Sequence, residues 1–219
     1  MPGFMKTTSI NAALVLRCGL SALFAVGFAA VPGFGAGAAQ PAETVRYTIE
    51  AGRSSAAFEM AATLHTVVGR TTSISGGFTT PVSAGPDGFP VTGSISIRAG
   101  TLDTDNSARD RKMRSRILSV EKYPEITFVP TRASGAGLSL SAGARINFTL
   151  EGNLTILETT GPVSIAASAL IGQDRLTADG TTTILFTDYG VPDPSNFFLR
   201  VRPNLRISIH LEARRIPPA

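Results

Sequence analysis

Apolar and polar residues alternate in short runs over most of the chain, and a period of two predicts strands with one buried face. Val91–Ala99 is the clearest run: Val91, Gly93, Ile95 and Ile97 share one face, with Thr92, Ser94, Ser96 and Arg98 on the other. Val45–Ile49 alternates in the same way, and Ser55–Leu64 more weakly. His65–Gly69 and Thr71–Phe78 follow, the second with Gly76-Gly77 inside it. Glycines inside a strand pattern predict a bulge or sharp bend. Further strands are expected at Glu125–Pro130, Arg145–Leu150, Asn153–Leu157, Gly161–Ala169, Leu176–Phe186 and Leu205–Ala213. A turn is expected at Glu151-Gly152, a hairpin within Ser134–Ala144, and loops at Ala84–Pro90 and 188–203.

One segment breaks this period. Asp103, Asp105, Asn106 and Ser107 offer short side-chain oxygens for a helix N-terminus, and Asp110 falls in the first turn, where a carboxylate suits the dipole. Met113, Ile117 and Val120 then repeat at helical spacing. Tyr123-Pro124 ends the pattern, because the residue before proline leaves the α region. The helix is expected over about residues 107–121. Its other side carries Arg109, Arg111, Lys112, Arg114 and Arg116, which suits either a solvated face or a collar for an anionic head group.

Several strands, one helix and no βαβ alternation predict an all-β antiparallel architecture. A closed barrel of about eight strands, with the short helix packed at it, can hold one small ligand. From the pattern alone a sandwich fits nearly as well.

Residues 1–39 read as an export signal: Lys6 and Arg17 precede or interrupt an apolar stretch, and Ala36-Gly37-Ala38 gives a cleavage site near residues 38–39. The barrel domain is then 40–219. Cys18 is the only cysteine and follows Arg17 rather than a small residue, which argues against a lipidated N-terminus. The formal net charge of +4 falls to 4 − 2 = +2 without Lys6 and Arg17, too little to predict nucleic-acid binding.

Catalytic signals are missing. His65 and His210 are the only histidines, far apart, and each reads more simply as a hydrogen-bonded strand residue than as a metal ligand. There is no G-x-S-x-G, no H-E-x-x-H and no phosphate-cradling glycine loop before a helix. The residues point to a binding protein rather than an enzyme, with no cofactor and no metal.

The helical segment also carries a resemblance. Asp103-Thr104, Arg109-Asp110, Arg114-Ser115, Ile117-Leu118, Tyr123-Pro124, Ile126 and Phe128 stand in the order and spacing of the YceI family, bacterial proteins described as polyisoprenoid-binding. Tyr47, Ile49, Ser54-Ser55 and Phe58 are similar to its opening strands, and His65, Gly69, Gly76 and Phe78 to the next pair. Phe148, Gly152–Ile156, Pro162-Val163 and Asp188-Tyr189-Gly190 extend the similarity to nearly the whole chain after the signal. The family's usual glycine after its G-x-L-T-I strand is replaced by Glu158-Thr159, which leaves that turn's shape open.

The resemblance implies a lipocalin-like barrel with a long apolar tunnel, exported to the periplasm. The candidate lining is Phe58, Phe78, Ile95, Ile97, Phe128, Phe148, Leu154, Ile156 and Phe186, and plain core packing suits each of them individually as well. Met113 and Ile117 are expected to cap the barrel, and Arg109, Arg111 and Arg114 to meet a head group. The leading expectation is an exported binder of an isoprenoid lipid of quinone or prenyl phosphate type. The alternative is an exported structural or stress-related barrel that acts through a membrane or protein partner without a specific lipid. A transient membrane-surface contact and a homodimer stay open.

Overall fold

The computed structural model describes residues 43–63, 65–195 and 200–217, so the expected export signal lies outside the described residues. The alternation becomes strands almost throughout: β1 (Thr44–Ile49), β2 (Ser55–Ala62), β3 (Thr66–Thr71), β4 (Ile74–Pro81), β5 (Phe89–Pro90) and β6 (Thr92–Arg98). After the helix come β7 (Glu125–Ser134), β8 (Arg145–Ile156), β9 (Thr159–Ile171), β10 (Arg175–Leu185) and β11 (Val201–Ile216).

Eight of these strands close a ring in the order β1-β4-β6-β7-β8-β9-β10-β11, and β11 pairs back with β1. Every pairing is antiparallel. The closing register runs from Arg46 opposite Ile216 to Ile49 opposite Ala213. The hairpin β2–β3 occupies the remainder of the same β11 edge, from Ala62 opposite Val201 to Ser55 opposite His210. The chain therefore changes neighbours along one strand at the corner between Glu50 and Ser54. Ser54 is fully buried there, and its hydroxyl accepts from the Glu212 N–H at 3.1 Å.

Closure puts one face of every strand inside, so inward positions are apolar. The interior divides into two clusters. One contains Ile74, Ile95, Phe128, Leu154, Ile165 and Ile184 and lies toward the helix. The other contains Tyr47, Ile146, Ile171, Leu176 and Ala213 and lies toward the opposite end. Gly76 at φ +118° and Gly93 at φ +143° adopt backbone that L side chains avoid, while β4 keeps an unbroken register with β1 and β6 through Gly76-Gly77.

Three local expectations are corrected. Glu151-Gly152 is not a turn but the middle of the continuous strand β8. Gly152 is needed there because an ideal Cβ would lie 2.5 Å from the Val129 carbonyl and 2.6 Å from the Phe128 ring. The turn comes at Leu157, at φ +56°, without a glycine.

The helix is also shorter than its period suggested. Regular α1 spans Ser107–Lys112 and passes into a π-helical turn at Met113–Ile117, in which Leu118 N–H reaches back to the Met113 carbonyl at 2.8 Å. Leu118 is buried against the core, and Ser119, at φ +46°, takes the chain out of the helix. Anchoring Leu118 inside outweighs another helical turn.

Finally, β11 begins at Val201, inside the region read as loop, because Val201 finds its partner in Ala62.

Candidate functional site

Three apolar chambers follow one another down the barrel. The chamber at the helix end has a volume of about 220 Å³, the middle one about 150 Å³ and the far one about 90 Å³. They share walls. Phe58, Leu102, Ile126, Ile156 and Leu205 border the first two. Ile95, Phe148, Leu150, Ala178 and Leu211 border the second and third. The arrangement is a divided tunnel rather than a filled core.

The helix-end chamber is the polar mouth. Met113 and Ile117 face it from the helix, Phe186, Val191 and Pro194 from the segment after β10, and Met60 and Val67 from the β2–β3 hairpin. Thr104, Arg109 and Lys112 supply its polar atoms. Why the helix sits here follows from its cap. Asn106 accepts the Arg109 N–H on its side-chain oxygen at 3.0 Å. Asp110, buried in the first turn, accepts both the backbone N–H and the hydroxyl of Thr104. These bonds, the Thr104 hydroxyl first, hold the Asp110 carboxyl below the usual carboxylate range, with Arg114 nearby adding to the effect and burial opposing it.

Arg109 is largely occupied by this network. Its Nε donates to the Thr104 hydroxyl at 2.8 Å and its Nη2 to the Thr104 carbonyl at 2.6 Å. Arg114 lies outside the chamber lining and donates from Nη2 to the Leu102 carbonyl at 2.9 Å. Both arginines thus clip the helix to the strand-like segment before it. Lys112 is exposed and lines the mouth, although sequence reading passed over it in favour of the arginines.

The middle chamber gathers most of the expected lining: Phe58, Ile95, Ile97, Phe128, Phe148, Leu154 and Ile156. Phe58 lies over Gly69, its directly opposed neighbour, where an ideal Cβ would come 2.2 Å from the ring. The far chamber adds Phe78, stacked on Tyr47 with ring centroids 5.2 Å apart. Leu138 and Leu140, from the turn before β8, also line it.

Sequence reading missed the residues that make the space. Ala56, Ala167, Ala178 and Gly180 form a wall of short side chains in the middle chamber. Small residues carry no periodic signal of their own, and only their opposition to Phe148 and Ile165 shows what they do. Ile207, Ile209 and Leu211 were within reach, since β11 alternates plainly.

The two histidines stand away from the chambers' polar mouth. His210 lies on the outer wall with Nδ1 2.7 Å from Asp179 Oδ1, and His65 is exposed between β2 and β3. Among the described residues no group of three or more His, Cys, Asp or Glu is placed to hold a metal.

An eight-stranded antiparallel ring, hollow and apolar inside, with a short helix at a polar mouth, defines a barrel of the small-ligand-holding class. The YceI-like domain family model matches residues 47–213, and the chain belongs to the YceI family. Solved structures agree in fold. BcnA of Burkholderia cenocepacia aligns with a TM-score of 0.59 at 16% identity, covering 75% of this chain and 98% of that one. A polyisoprenoid-binding domain from Saccharophagus degradans, implicated in plant cell wall breakdown, aligns with a TM-score of 0.61 at 15% identity, covering 77% and 97%. No curated protein matches the chain.

Proposed function

We propose that the barrel is a lipid-binding protein that holds an isoprenoid lipid of quinone or prenyl phosphate type. The chain would lie along the chambers and the head group at the helix end. One observation carries the reading: the interior is an apolar tunnel whose polar atoms concentrate at one mouth, on Thr104, Arg109 and Lys112. A flexible apolar chain needs few directional contacts, since each buried methylene contributes about 0.8 kcal/mol. Membership of the YceI family supports the reading, as does likeness to a polyisoprenoid-binding domain. Lys112 and the part of the Arg109 guanidinium not bound to Thr104 are the cations for an anionic head group.

Residues 1–39 are the basis for proposing export to the periplasm, with cleavage near residues 38–39. Native mass spectrometry of the protein purified from a bacterial periplasm, followed by lipid extraction, tests both points. A stoichiometric isoprenoid on a chain shortened at that site is the expected result. A full-length chain would refute the export reading. An empty barrel that takes up neither quinones nor prenyl phosphates would refute the lipid reading.

A further inference from the structure

The middle and far chambers meet at a shared wall of Ile95, Phe148, Leu150, Ala178 and Leu211. Phe148 borders both, and it is the only aromatic residue common to the two. The division coincides with the break between the two core clusters: Phe148 packs with the far one, whereas Leu150, two residues along the same inward face, packs with the near one. Directly opposite Phe148 on β9 stands Ala167, whose short side chain leaves the middle chamber its width. Beyond the ring, the far chamber is bounded by Phe78, which stacks on Tyr47, and by Leu138 and Leu140.

Phe58 borders two chambers as well, but its setting differs. It is held down over Gly69, its opposed neighbour, whereas the residue opposite Phe148 is Ala167. The mouth-side partition is thus a ring seated on a glycine, and the inner partition is a ring facing an alanine.

From this geometry we infer that Phe148 sets the chain length the barrel accepts. This rests on the isoprenoid reading above. A chain that enters tail-first past the helix runs through the first two chambers and stops against the Phe148 ring. The far chamber lies beyond that stop and becomes usable when the ring is removed. Ala167 is the matching control, since a larger side chain there shortens the middle chamber from the opposite wall.

The test is a binding series with geraniol, farnesol, geranylgeraniol and solanesol, read by displacement of a fluorescent fatty acid from the purified protein and from its Phe148→Ala, Phe148→Leu and Ala167→Leu variants. An added isoprene unit that finds apolar room should tighten binding at least about tenfold, against less than about twofold once the chain is stopped. The expected result is that Phe148→Ala keeps gaining affinity at a chain length where the parent protein has levelled off, and that Ala167→Leu levels off earlier. Phe148→Leu, which keeps most of the core volume, should lie between parent and Phe148→Ala and serves if Phe148→Ala does not fold. If the parent binds the series and all folded variants level off at the same length, the inference is overturned while the lipid reading stands. If the parent binds none of the alcohols, no prenyl phosphate and no quinone, both fall.

Discussion

Thr104 gives the Asp110 carboxylate both of its donors, the backbone N–H at 3.1 Å and the side-chain hydroxyl. The same hydroxyl accepts from Arg109 Nε at 2.8 Å, so one buried residue fixes the helix over the tunnel mouth. Thr104→Val keeps the shape and the backbone bond but leaves a partly buried guanidinium and a carboxylate each short of a partner. A loss of about 1–3 kcal/mol is expected, visible as a lower urea midpoint at unchanged slope.

The same contact predicts an acid-side response. A carboxyl whose pKa is lower folded than unfolded contributes stability above its unfolded value, near 3.9, and that contribution disappears as pH falls through the folded value. Urea unfolding followed from neutral to acid pH should therefore show Asp110→Asn less stable than the parent near neutrality, with the two curves converging below about pH 4. Parallel curves would mean that Asp110 is not held in its charged form.

Filling the middle chamber separates hollow function from core stability. Ile209 lines it, opposite Gly180. Ile209→Phe adds volume where space exists, so stability should change by less than about 1 kcal/mol. Lipid retained through purification should fall sharply. Thermal unfolding and lipid extraction on the same sample check both halves of the expectation.

At the mouth, Lys112 is exposed and its charge is open to salt. Lys112→Ala should weaken binding of a prenyl phosphate by roughly twofold to fivefold at low salt and leave the matching prenyl alcohol unchanged. The difference should shrink at high salt. Titrations of farnesyl phosphate and farnesol at two ionic strengths measure it.

Gly152→Ala tests the close approach of β7 and β8. The new methyl would meet the Val129 carbonyl and the Phe128 ring at once, and the carbonyl belongs to a paired strand that cannot easily move. Overpacking of this kind costs about 1–3 kcal/mol, to be read from the denaturation midpoint.

Much of this could be read from the chain alone, because it depends on neighbours a few residues apart. The alternation in β6 and in the Leu205–Ala213 part of β11 and the capped start of the helix at Asn106 are local patterns, and each appears where it was expected, whereas the helix ends at Ile117, before Tyr123-Pro124. The order of motifs around Asp103-Thr104 and Arg109-Asp110 was enough to identify the family. What the fold alone decided depends on residues distant in sequence. Arg46 meets Ile216 to close the ring, and that pairing separates a barrel from a sandwich. Gly152 looked like a turn because its reason for being glycine, the Phe128 ring, lies on another strand. Arg114 resembled a free cation until the Leu102 carbonyl occupied it. The hollow itself has no sequence signature. An inward Phe or Ile reads the same in a packed core and along a tunnel, and only the sum of side-chain volumes across facing strands, with Ala167, Ala178 and Gly180 opposite the large residues, leaves space between them.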